Sequence, residues 1–191
     1  MSNYLFTYQH TCAKGVKAYI LHKSAFKSTI KKKENGKLYI PFLGEGFYYW
    51  EENIDAAHSW GKRHYKNEYN VVEYIDSVIS RDETLDFLNR RDLKYFKELI
   101  EIYKNKRPES KKWFIANWIE FFKKLQKINQ EKFPYIYFRA DENHPDIRMN
   151  DEMKAKTEFN YSGYYTFLDP LIILCAVNKC NLNSRSKIIS F

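Results

Sequence analysis

Apolar positions along this chain follow two periods. Alternating or unbroken apolar runs predict strands over residues 5–10, 70–79, 135–138, 164–167, 171–177 and 187–189, and residues 38–42 read as a short strand or a loop edge. Apolar residues three and four apart predict helices over 15–25, 53–66, 82–89, 92–106 and 110–130. The last two carry the strongest stripes: Leu93, Phe96, Leu99, Ile100 and Tyr103 on one, Phe114, Trp118, Phe121, Phe122 and Leu125 on the other. Asn53 is placed to cap the second helix, with Asp55 in its first turn, and Arg107-Pro108 ends the fourth. Strands on both sides of a helical block predict an α+β fold. One domain spanning residues 1–191, with a helical insertion at about 82–130, accounts for the length.

Composition narrows the class. A hydrophobic content of 44% and an aromatic content of 18% can fill a core, which excludes a disordered chain. The longest apolar run, residues 170–177, is too short to span a bilayer, and the first residues show no secretory signal. The expectation is a cytoplasmic protein that does not engage a membrane. Cys12, Cys175 and Cys180 are sparse and odd in number, which argues against a disulfide framework. Their spacing has no zinc pattern, and no metal is expected. The net charge of +8 is uneven: residues 14–37 hold eight lysines and one acid, Glu34. Such a segment suits a nucleic acid, an acidic protein or a phosphorylated ligand.

The stretch Gly44-Glu45-Gly46-Phe47-Tyr48-Tyr49-Trp50 stands apart from these patterns. Two glycines free the backbone to turn or to approach another group closely. The rings that follow alternate faces if the segment is a strand, which suits the floor of a pocket for a flat ligand.

Three segments in order then carry a resemblance. His10-Thr11 closes the first strand, Gly44-Glu45-Gly46-Phe47-Tyr48-Tyr49 precedes a helix containing Ala56-Ala57, and Asp169 stands before the run 171–177. This order resembles the ADP-ribosyltransferases of the His-Tyr-Glu branch, which includes the poly(ADP-ribose) polymerases and related bacterial toxin-type domains. The resemblance implies a split β-sheet core and NAD+ as co-substrate. It implies that His10 contacts the ribose, that Thr11 offers backbone groups to the nicotinamide amide, and that Gly44, Gly46, Phe47, Tyr48 and Tyr49 form the nicotinamide strand, with Tyr48 as the motif tyrosine whose ring lies against the nicotinamide. Trp60 would supply the second stacking ring, since Ser59 occupies the aligned place. Asp169 would be the catalytic acid, with Glu158 in reserve. A carboxylate there would stabilise the oxocarbenium character that develops as nicotinamide leaves. The implied reaction is transfer of ADP-ribose to a macromolecular acceptor, RNA, DNA or protein, in a toxin or phage-defence setting with an antitoxin partner. The chain departs from the family pattern in having Thr11 where glycine is usual, an aspartate one methylene shorter than the usual acid, and Pro170 after it.

Two rival readings come from other residues. Pro145-Asp146 followed by Glu152-x-Lys154 is similar to the PD-(D/E)xK nuclease signature, in which carboxylates hold Mg2+. The surrounding stretch, Asp141-Glu142-Asn143-His144-Pro145-Asp146, otherwise reads as a solvated acidic loop. The lysine segment with its tyrosines reads as a non-enzymatic module that grips single-stranded nucleic acid by charge and stacking.

Overall fold

The computed structural model describes residues 3–128, 130–142, 156–158, 165–167, 170–179, 182 and 186–189. The chain opens with β1 (Asn3–Ala13) and α1 (Lys17–Lys23), followed by β2 (Lys27–Ser28), β3 (Lys31–Lys32) and β4 (Leu38–Tyr39). β5 (Gly46–Glu51), α2 (Ile54–Tyr65) and β6 (Tyr69–Ser80) come next. β7 (Thr84–Asp86) leads into α3 (Arg90–Lys104), a 3-10 turn (Pro108–Lys112) and α4 (Ile115–Gln126). The remaining strands are β8 (Tyr137–Asp141), β9 (Lys156–Glu158), β10 (Tyr165–Phe167), β11 (Ile172–Ala176) and β12 (Ser186–Ile189). This is an α+β protein, as the alternation of periods predicts.

One mixed sheet organises it, in the order β12-β6-β1-β5-β11-β8-β7, with β2 also paired to β5. The pairs are antiparallel except β7 with β8. Each face of the sheet carries its own apolar cluster. Tyr8, Tyr49, Tyr74, Val72 and Leu174 belong to one. Trp50, Ala57, Phe138 and Ile173 belong to the other, together with Phe96 of α3 and Trp118, Ile119 and Phe122 of α4. The helical block therefore closes the second face of the sheet. Its rings interlock edge to face, Phe96 to Phe122 at 5.7 Å and Tyr103 to Phe121 at 5.3 Å.

Two elements differ from the pattern-based expectation. The helix expected over 82–89 is the strand β7: Thr84, Leu85 and Asp86 are buried, and Asn89 caps α3 by accepting from the Arg91 amide. The helix expected over 110–130 splits, because Trp113 is extended and Asn117 reaches back to the Phe114 amide at 3.0 Å to start α4. Residues 31–37, which the dipeptide Asn35-Gly36 marks as a turn or flexible loop, form the turn of a small ribbon, β3 with β4, and Gly36 takes the positive φ expected of it, 79°. The Asn53 cap forms as expected, accepting from the Ala56 amide at 2.8 Å.

Candidate functional site

The strands that carry or follow the segments of the resemblance, β1, β5 and β11, are consecutive in the sheet. Tyr8 pairs with Glu51 and Gln9 with Trp50, while Leu174 pairs with Tyr49 and Cys175 with Tyr48. This register decides which side chains meet. His10 lies on the face of Tyr49, 5.8 Å between ring centroids, and of Phe26, at 6.1 Å. Phe47 packs on that face as well. Tyr48 and Trp60 pack on the opposite face, where Thr11 donates to the Ala57 carbonyl at 2.8 Å. The structure thus brings His10 together with Tyr49, and Thr11 together with α2, but does not bring His10 and Tyr48 onto one face.

Each of these side chains has a bonding role inside the fold. The Phe26 amide donates to His10 Nε2 at 3.0 Å, so Nδ1 carries the proton and donates to the Tyr48 carbonyl at 2.8 Å. Burial holds this imidazole neutral and lowers its pKa to about 4, against a raising effect of the Tyr48 carbonyl. The Tyr48 hydroxyl donates to the Gly44 carbonyl and accepts from the Leu43 amide, both at 2.7 Å, and burial raises its pKa. Gly44 has a φ of 83°, and a side chain there would run into the Glu120 carboxylate, which accepts the Glu45 amide at 2.6 Å. Gly46 lies so close to β11 that a Cβ would meet Cys175 Sγ and come within 2.7 Å of the Ala176 carbonyl. Trp60 stacks on His64 at 3.6 Å and stands 6.2 Å from Trp50, with Arg63 over its ring. Asp169 lies outside the described residues. Glu158 closes β9, opposite Tyr165.

Sequence reasoning passed over a buried charged cluster. Arg139 pairs with Glu51 through two nitrogens and with Asp86 at 3.1 Å, and Asp86 also accepts from the Tyr4 hydroxyl at 2.8 Å. The guanidinium lies 5.3 Å from the Tyr4 ring and 5.7 Å from the Phe6 ring. Arg81 and Asp92 form a second pair beside it at 2.9 Å. The available signal was the alternation of Tyr137, Arg139 and Asp141 with Phe138 and Ala140, which marks a strand with one polar face.

Glu142 is a second residue that the pattern misjudged. It was expected in a solvated loop, yet it is only 7% exposed, and its Oε2 has no hydrogen-bond partner among the described residues. Its amide donates to the Leu171 carbonyl at 2.7 Å, which places it beside the start of β11. Burial pushes its pKa up to about 7; Arg63 acts in the opposite direction and Asp141 adds to the rise. The remainder of the nuclease-like stretch, including Asp146, Glu152 and Lys154, lies outside the described residues.

His10 and Glu142 make opposite contributions to acid stability. The folded protein binds fewer protons than the unfolded chain at His10 between about pH 6.5 and 4, so that contribution is lost on acidification. At Glu142 it binds more between about pH 4.5 and 7, so stability is gained over nearly the same window. Each is worth roughly 3 kcal/mol. The Glu142→Gln variant is expected to be more stable than the parent at pH 7.5 and to lose stability steeply from pH 6.5 to 4 (~). Urea midpoints across that range check this; parallel pH profiles for the two proteins would contradict it.

The chain matches no family model, no curated protein and no solved structure. Among the described residues no helix is long and apolar enough to cross a membrane, and no group of three or more His, Cys, Asp or Glu is placed to hold a metal ion.

Proposed function

We propose that this protein transfers ADP-ribose from NAD+ to a macromolecular acceptor, nucleic acid or protein, with release of nicotinamide. The observation that supports the reading is the adjacency of β1, β5 and β11, which carry or directly follow the three segments of the resemblance. The register changes the residue roles within it. Tyr49, with Phe47, is the aromatic that shares His10's face, whereas Tyr48 braces the turn that delivers β5. His10 has no ring nitrogen to spare, so a ribose hydroxyl reaches Nε2 only in exchange for the Phe26 amide. That bond is the one to yield, because Phe26 precedes the two-residue strand β2 whereas Tyr48 lies within the central sheet. Three carboxyl groups compete for the role of the acid: Asp169, Glu158 and Glu142. Glu142 is the described one that stands at the start of β11.

The test is incubation with NAD+ labelled in the adenylate, together with separate pools of protein, RNA and DNA. Label is expected in one pool with stoichiometric nicotinamide release, reduced at least about 100-fold when the acting carboxyl is replaced by its amide. Label in no pool, with no nicotinamide released, would overturn the reading. A non-enzymatic nucleic-acid-binding role is the second reading, and the exposed basic ribbon β3–β4 favours it. A Mg2+-dependent nuclease assay with Asp146→Ala and Glu152→Ala addresses the third.

A further inference from the structure

We infer that the β3–β4 ribbon is a contact surface for single-stranded nucleic acid, with lysines on its phosphates and the Tyr39 ring against an unpaired base. The ribbon pairs with no strand of the main sheet, and residues 31–39 are all exposed. Lys31 stands opposite Tyr39 and Lys32 opposite Leu38. The Lys33 amide donates to the Lys37 carbonyl at 2.8 Å, which extends the same register by one pair. Side chains two apart share a face of a strand. Lys31, Lys33, Lys37 and Tyr39 therefore form one face of the ribbon, and the Lys33 ammonium stands 5.6 Å from the Tyr39 ring centroid. The turn is held in shape by the Gly36 amide on the Lys33 carbonyl and the Lys37 amide on the Asn35 side chain.

The chemistry of this face selects its partner. Between Lys27 and Tyr39 the chain has five lysines and one acid, Glu34. Beyond the ribbon, Glu45 is already engaged by the Ile30 amide and lies 4.0 Å from Lys27. Leu38 is 66% exposed, Tyr39 45% and Phe42 46%. Lysines without facing acids, interleaved with open rings, match a polyanion that also offers flat apolar faces. Single-stranded RNA and DNA have both features, and their unpaired bases can stack on an aromatic ring. The inference stands on the ribbon alone. If the transferase reading also holds, the ribbon names nucleic acid as its acceptor.

Binding is measured without NAD+, so failure of the transferase reading leaves it untouched. The probes are fluorescent oligo(dT) and oligo(U), titrated at several salt concentrations, with a duplex and anionic lipid vesicles as competitors. Replacing Lys31, Lys33 and Lys37 together by glutamine is expected to lower the slope of log affinity against log salt by about 2, at roughly 0.7 for each phosphate contact. Replacing Lys94, Lys111 and Lys112 by glutamine makes the same charge change elsewhere and is expected to leave the slope as it was. Tyr39→Ala is expected to weaken binding by about 5-fold to 100-fold. Equal losses in the two triple variants, no loss in Tyr39→Ala, or displacement of the oligonucleotides by duplex or vesicles would overturn the inference. The oligo(dT) and oligo(U) arms tell DNA from RNA.

Discussion

Replacing Arg139 by methionine is expected to destabilise the protein by about 3–5 kcal/mol, the range for leaving buried charges without their partner. The side chains of Glu51 and Asp86 are almost fully buried, and Arg139 is the cation they share. Without it, two buried carboxylates lose their shared counter-ion, and Asp86 keeps the neutral donors Tyr4 hydroxyl at 2.8 Å and Leu88 amide at 2.9 Å. A fall in melting temperature of roughly 10 °C would accompany a loss of this size in a domain of this length. The double variant Arg139→Met with Glu51→Gln is expected to recover part of the loss, because one of the stranded charges is removed with its counter-ion. Urea unfolding of both variants checks this. A single variant within about 1 kcal/mol of the parent would mean that the cluster is open to water, where ion pairs are worth little.

The second large effect lies at Gly46. Gly46→Val is expected to cost at least about 3 kcal/mol, at the upper end of what overpacking does. Its Cβ has no room between Cys175 and the Ala176 carbonyl, so β5 and β11 would have to part where the sheet is central. Gly36 provides the contrast. It has a positive φ and no atom within 4 Å of its Cβ position, so Gly36→Asn, a residue that tolerates this region, is expected to change stability by less than about 1 kcal/mol. Denaturant midpoints for the two variants should differ widely. Similar midpoints would show that the β5–β11 contact adjusts at little cost.

Gly46 also shows how far the sequence reaches. Two glycines before four aromatics announce a close approach or a turn, and both are present: the turn at Gly44 and the approach at Gly46. Alternation places Tyr48 and Tyr49 on opposite faces before any coordinates are known. The face that His10 occupies depends instead on the pairing of Tyr8 with Glu51. That is a long-range register to which local pattern contributes nothing. The stripes of α3 and α4 were legible because eleven or more residues repeat at helical spacing, although their first members, Leu93 and Phe114, stay exposed. β7 was not, because three residues are too few to show a period and Thr84 and Asp86 are buried by partners far away in the chain. Arg139 was passed over and Glu142 misplaced for the same reason. A charged residue reads as solvent-facing until the strand beside it supplies its counter-ion or covers it.

The central claim, that NAD+ binds where β1, β5 and β11 meet, is tested most directly by NMR titration of the isotopically labelled protein with NAD+. Saturable amide shifts are expected at His10, Phe26, Phe47 and Tyr49, with the Phe26 amide losing its bond to His10 and exchanging faster with solvent. Saturable shifts confined to other parts of the chain, or no shifts at millimolar NAD+ (~), would contradict it.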